Sequence, residues 1–160
     1  MFKKYLIVFL VSMVPLIELR GAIPYAVVFG LPLLPSYIIA IIGNMLPVPF
    51  IFFFARKVLE WLSASRKEKV RNFAAFFIEK GEKAKEKLLQ RSDKGAYIGL
   101  FLFVGIPIPG TGAWTGTLAA SFLDLDFRKS VIAVVCGVIL AGIIMGLVSN
   151  GILGAFNLVF

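Results

Sequence analysis

Histidine is absent from the 160 residues, and cysteine occurs once, at Cys136. Without histidine the chain lacks the commonest metal ligand and the side chain that titrates most readily near neutral pH. Ser-His-Asp and Cys-His mechanisms are therefore excluded within it. A single cysteine excludes an internal disulfide and any cysteine-rich metal site. Charge is also scarce. Only 16% of residues are charged, against about 25% in a typical soluble domain. No nucleophile–base set is visible, so the sequence predicts no enzyme, no catalytic residue, no metal and no cofactor.

What is present is apolar. Hydrophobic residues make up 59% of the chain and the mean hydropathy is +0.93. Uncharged runs cover Gly21–Ala55, Gly95–Leu123 and Ser130–Phe160. Each exceeds the roughly 20 residues a helix needs to cross a bilayer. The expectation is an all-α integral membrane protein. The net charge of +8 is not a nucleic-acid footprint, because 12 of the 17 Lys and Arg lie in residues 56–94 beside six of the nine acids. Lys3–Leu16 has the outline of a signal peptide, but no small-residue cleavage site follows it.

Three parts follow: a first repeat at 1–55, a basic segment at 56–94 and a second repeat at 95–160. In the middle part Val70, Phe73, Phe77, Gly81, Ala84 and Leu88 step by three and four, which predicts one helical stripe. Such a helix either lies on the bilayer with its cations toward anionic lipid headgroups or forms a plain helical hairpin. Its Lys and Arg excess places it in the cytoplasm. Each apolar part begins with a short segment, Tyr5–Ile17 or Ala96–Ile106, and meets a break bearing Pro and Gly, ELRGAIP or PIPGTGAWTG. A second short segment follows, then a full span, Ser36–Ala55 or Ser130–Val148, the latter with a short apolar tail. A 13-residue segment reaches only about 20 Å as helix, short of a ~30 Å bilayer core. The expectation is two re-entrant hairpins, 5–34 and 96–125, with transmembrane helices 36–55 and 130–148. Arg56 and Lys57 set the end of the first span inside, and Arg128 and Lys129 the start of the second. Both termini then lie outside and the halves are inverted, the architecture of many secondary transporters; if Tyr5–Leu34 instead crosses the membrane, the N-terminus is inside and the inverted symmetry is lost.

Glu18 and Arg20 interrupt otherwise uncharged chain, where ionisable residues are costly and usually face a cavity or a partner. In the functional reading Arg20 binds an anion and Glu18 carries a coupling proton. Half-helix N-termini at Gly21 and Gly112 add N–H donors toward that anion. In the alternative the pair holds the fold. Pro24 belongs to the first break. Pro107, Pro109, Thr111, Gly112, Trp114 and Thr115 form the second, either as site donors or as a tight turn with capping threonines and an interfacial tryptophan. Asn44 sits mid-span beside Pro47 and Pro49, lining a cavity or packing helices. Asp124 and Arg128 are secondary candidates at the rim, where helix capping competes with proton entry. Gly142 and Gly146 have a GxxxG packing spacing.

PLIELRGAIP at 15–24 and GIPIPGTGAWTGTLAA at 105–120 resemble the paired signatures of the small multidrug export protein family, a distant relative of the DedA/VTT membrane proteins. The resemblance covers most of the chain. It implies a multi-pass inner-membrane protein with two re-entrant hairpins in inverted repeat. DedA relatives are linked to translocation of phospholipid or undecaprenyl phosphate, with an acid and arginines in the hairpins. Glu18 and Arg20 fit that pattern by position. The second hairpin departs from it, with threonines in place of an arginine. The expected function is a small secondary transporter or lipid flippase for an anionic or amphipathic substrate, driven by protons. The alternative is a non-transporting scaffold that recruits anionic lipid or a protein partner. A homo-oligomer is compatible with both.

Overall fold

A computed structural model describes residues 2–72, 74–76, 78–79, 93–108 and 110–159. Among these there is no strand. The helices with both ends described are α1 (Phe2–Met13), α2 (Glu18–Val28), α3 (Leu33–Met45), α4 (Val48–Ser63), α5 (Asp93–Gly105), α6 (Ala113–Phe122) and α7 (Phe127–Val159); the described residues between 68 and 79 are helical as well. Of the amphipathic stripe only Val70 is among the described residues.

Proline sets most of the boundaries. Pro15 cannot continue a helix and pushes its predecessor out of helical geometry, and α1 ends at Met13. The first break is therefore residues 14–17, upstream of where the sequence placed it. ELRGAIP is helical, and Pro24 lies inside α2. The expected half-helix start at Gly21 is correspondingly at Glu18. Pro47 and Pro49 withhold two N–H groups and divide α3 from α4. Helical hydrogen bonds run up to the boundary from each side, Leu46 N–H to the Ile42 carbonyl at 3.1 Å closing α3 and Ile51 N–H to the Pro47 carbonyl at 2.9 Å opening α4.

Among the described residues, two stretches are long and apolar enough to span a bilayer, Leu33–Ser63 and Phe127–Ile152. Both outrun the expected spans 36–55 and 130–148. Helix α7 continues through the supposed tail to Val159. The outer surface is studded with large apolar side chains such as Phe50, Phe53, Leu147 and Ile143. The interior uses small ones, among them Ala22, Ala26, Ala40, Ala113 and Ala120. Alongside these alanines, Val8, Leu19, Ile23, Val104 and Val138 are also buried, and the small residues suit helices that pack by close approach within lipid.

The helices interlock. Helix α1 packs on α2 and α3, α5 on α7, α2 on α7, and α4 on α6. Gly43 lets α1 onto α3: a Cβ there would lie 2.6 Å from the Phe9 carbonyl oxygen and strike the Ser12 hydroxyl. Gly137 does the same for α5 on α7, with Phe101 O at 2.9 Å and the Val104 Cβ at 2.7 Å. Gly142 and Gly146 form a seat for Tyr37 of α3, whose hydroxyl donates to the Gly142 carbonyl at 2.6 Å. The GxxxG spacing thus serves packing within the chain.

Candidate functional site: a clasp around the second break

The second break leaves backbone groups without partners on both sides. A helix ends with four carbonyls and begins with four N–H groups that its own turns cannot satisfy. Helix α5 ends at Gly105 and α6 starts at Ala113, with Pro107 and Pro109 between them. Neither proline has an N–H to give. Pro109 lies outside the described residues. Gly112, the N-cap of α6, has φ 137° and no side chain with which to cap.

Both deficits are filled from α2. The Glu18 carboxylate accepts the Ala113 N–H at 3.1 Å and the Trp114 N–H at 2.9 Å. An acid thus sits at the N-terminus of α6, where the helix dipole favours negative charge. Glu18 is 3% exposed, and its own φ of 51° turns the side chain off the start of α2. On the other side of the break, Arg20 Nη2 donates to Thr111 Oγ1 at 2.8 Å and to the Val104 and Ile106 carbonyls at 3.2 Å each. Its Nη1 donates to the Ile108 carbonyl. A cation therefore caps the C-terminus of α5. The Thr111 hydroxyl lies 3.0 Å from Ile106 O and 2.8 Å from Ile108 O, and shares its proton between them.

Two further contacts close the arrangement. The Trp114 indole N–H donates to the Met13 carbonyl at 3.2 Å, capping the C-terminus of α1. The half-buried Trp114 thus spends its indole N–H within the chain. A Cβ on Gly112 would collide with the Glu18 carboxylate, whose Cδ would be 2.7 Å away. Glycine is needed there both for its backbone angle and for the approach of the acid.

The predicted site residues separate into groups. Glu18, Arg20, Thr111, Gly112 and Trp114 meet in the clasp, and Pro107 lies on the turn that Arg20 grips. Thr115 leans back on the Gly112 carbonyl at 3.5 Å. Gly21 packs against Ile17 of its own turn, and Pro24 sits one turn further along α2. Asn44 is buried elsewhere, with its side-chain oxygen unpartnered. Asp124 is a turn residue at φ 51° and Arg128 is exposed on the first turn of α7. Capping of α7 falls to Asp126, whose Oδ1 accepts the Lys129 N–H at 2.9 Å. Sequence reasoning missed Met13, Val104, Ile106 and Ile108, which contribute only carbonyls and so carry no residue-type signal. It also missed Tyr37. Thr117, which the sequence offers as a further hydroxyl donor of the second break, is a buried hydroxyl without a partner.

A family model described as "Putative small multi-drug export protein" matches residues 18–144. The chain belongs to that family. The match opens on Glu18, so it contains both strands of the clasp and most of α7. No curated protein and no solved structure matches the chain. Family membership and the two long apolar helices together make this a membrane protein.

Proposed function

We propose that the chain is an exporter of small anionic or amphipathic compounds in the cytoplasmic (inner) membrane, a transporter and not an enzyme. In this reading it is a multi-pass inverted repeat, 1–55 and 95–160, joined by the basic segment 56–94. Helices α1 and α2 form one re-entrant hairpin and α5 and α6 the other. At 12 and 11 residues, the first pair reaches only about 18 Å per helix, well short of a ~30 Å core.

Recurrent geometry supports the repeat. The turn after α2 bonds Phe29 to Tyr25, Gly30 to Val27 and Leu31 to Ala26; the turn after α6 bonds Leu123 to Ala119, Asp124 to Ser121 and Leu125 to Ala120. Every one of these pairs is offset by 94 residues, and Gly30 and Asp124 share a positive φ. Ser36 N–H to Pro32 and Ser130 N–H to Asp126 continue the same offset. So do Gly43 and Gly137, and the atoms they admit, from Phe9 and Phe101, are 92 apart. The second half thus carries the same devices, with two more residues between its hairpin's first helix and its close contact.

The clasp is the single observation that carries the transport reading. Helix α2 of one half holds the broken backbone of the other through two ionisable side chains. That is where two rocking halves would meet, and helix ends around a break are where transporters of this architecture place their sites. Anion binding then competes for Arg20, and protonation of Glu18 weakens its hold on α6, which couples opening to a proton. A scaffold is the second reading, favoured by the fact that the Glu18 and Arg20 bonds described above all stay within the chain. Purified protein in liposomes, offered anionic amphiphiles and lipophilic cations under an imposed pH gradient, separates the two. Saturable, gradient-dependent movement that Glu18→Gln uncouples from pH is the expected result. Fluxes equal to those of empty liposomes across the panel sink the transporter.

A further inference from the structure

Helices α5 and α7 enclose an apolar groove of about 550 Å³, away from the clasp. Its lining is arranged in two parallel stripes. Lys94, Tyr97, Ile98 and Phe101 step along one face of α5, and Lys129, Ile132, Ala133 and Cys136 along one face of α7. Each stripe begins with a lysine and runs seven residues to an apolar floor, about 10 Å at 1.5 Å per residue. Lys129 Nζ sits over the Tyr97 ring, 5.6 Å from its centre, so this cation is held across the mouth. The acids of the adjoining turn, Asp124 and Asp126, are not among the residues that line the groove, although the Asp126 N–H donates to the Tyr97 hydroxyl at its edge. Asp126 is engaged with the Lys129 backbone, and Asp124 lines a different cavity with Lys57 and Glu60. Exposed Arg128 adds a cation beside the mouth.

We infer that this groove is a binding site for an anionic phospholipid. One acyl chain lies between α5 and α7 down to Phe101 and Cys136, and the phosphate sits between Lys94 and Lys129. Charge complementarity selects this occupant. A neutral ligand would leave two lysines without a counter-charge on the lining of a groove otherwise almost wholly apolar. A free phosphate would leave the apolar floor unfilled. An anionic lipid satisfies both ends, and each lysine near a membrane surface adds about a fivefold preference for negative charge. The inference does not depend on export, since a scaffold would use the same groove.

Cys136 provides the readout, because it is the sole cysteine and is exposed in the groove. The full chain is placed in nanodiscs of phosphatidylcholine, with or without phosphatidylglycerol, and the alkylation rate of Cys136 by N-ethylmaleimide is measured. Phosphatidylglycerol is expected to slow alkylation several-fold, and the slowing to disappear in Lys94→Gln/Lys129→Gln. The same double variant, delipidated in detergent, is expected to lose phosphatidylglycerol adducts in native mass spectrometry, whereas Lys3→Gln/Lys4→Gln retains them. Ala133→Trp, which fills the groove but keeps both lysines, is expected to lose them as well. Circular dichroism verifies folding; if Ala133→Trp misfolds, the lysine variant decides alone. Equal alkylation with and without phosphatidylglycerol overturns the proposal, as does protection that survives loss of both lysines. Protection by glycerol phosphate alone overturns the lipid in favour of a soluble phosphate.

Discussion

Replacing Glu18 by Ala tests the clasp most directly. The carboxylate caps two N–H groups at the start of α6, and Gly112 offers no substitute. Leaving a buried donor unsatisfied costs about 1–3 kcal/mol. Two such donors, with some relief from water entering the space, give a loss of about 3 kcal/mol. For a chain of this size about 2–4 °C of melting temperature follows each kcal/mol, so the expected fall is roughly 6–12 °C. Glu18→Gln keeps one acceptor oxygen but turns an NH2 toward the second donor, and should lose about half as much. Glu18→Asp keeps the charge on a stem one carbon shorter and should fall between the wild type and Ala.

The assay can watch the clasp itself. There are two tryptophans. Trp61 is 74% exposed and can be replaced by Phe, which leaves Trp114 as the only emitter. Its backbone N–H is bound by Glu18 and its indole by the Met13 carbonyl. In the Trp61→Phe background, Glu18→Ala should red-shift native Trp114 emission and make it more quenchable, in addition to lowering the melting temperature. Unshifted emission with a wild-type melting temperature would refute the reasoning. The N-terminus of α6 would then be capped by something other than Glu18.

Arg20→Lys keeps a positive charge but replaces a planar fork by a point donor; it cannot serve acceptors spread from Val104 to Thr111, and should destabilise measurably in thermal unfolding, though less than Arg20→Ala. Gly112→Ala adds one methyl where both the backbone angle and the Glu18 carboxylate forbid it, and should reproduce much of the Glu18→Ala defect, including the Trp114 red shift. Gly43→Val and Gly137→Val should each lower the melting temperature by several degrees by forcing α1 off α3 and α5 off α7, while Gly99→Val, with open space around it, should not.

Much of the fold could be read in the sequence because the membrane imposes a simple rule. Uncharged runs of sufficient length become helices, and prolines divide them. The long spans were therefore expected, although their ends were not. Leu33–Ser63 continues past Arg56 and Lys57, since a charge marks where lipid stops and does not stop a helix. The first break was misplaced for a related reason. Pro24 and Gly21 look like interruption, but α2 carries both. A proline deprives only one carbonyl of its partner, and the break was made instead by Pro15. The stripe of Phe73 and Phe77 in the basic segment lies outside the described residues.

The clasp was half legible. Two ionisable residues stood out in the otherwise uncharged stretch from Tyr5 to Ala55, and PIPGTG stood out as chain that no helix can use. Nothing in the sequence says that residues 18 and 20 meet residues 104–114, because that contact is made by the packing of α2, α6 and α7. The chemistry of the match, however, follows from the break alone. A helix interrupted inside a bilayer leaves carbonyls at one end and N–H groups at the other, and no water is there to serve them. The first set calls for a donor with several N–H groups and the second for an acceptor with two oxygens. Among side chains, arginine and glutamate are the natural pair. The same requirement explains their two-residue spacing: with Leu19 buried between them, Glu18 and Arg20 reach opposite ends of a single gap. A transporter that opens here must exchange these bonds for others, so any substrate that enters has to supply an acceptor for Arg20 as it leaves the α5 carbonyls.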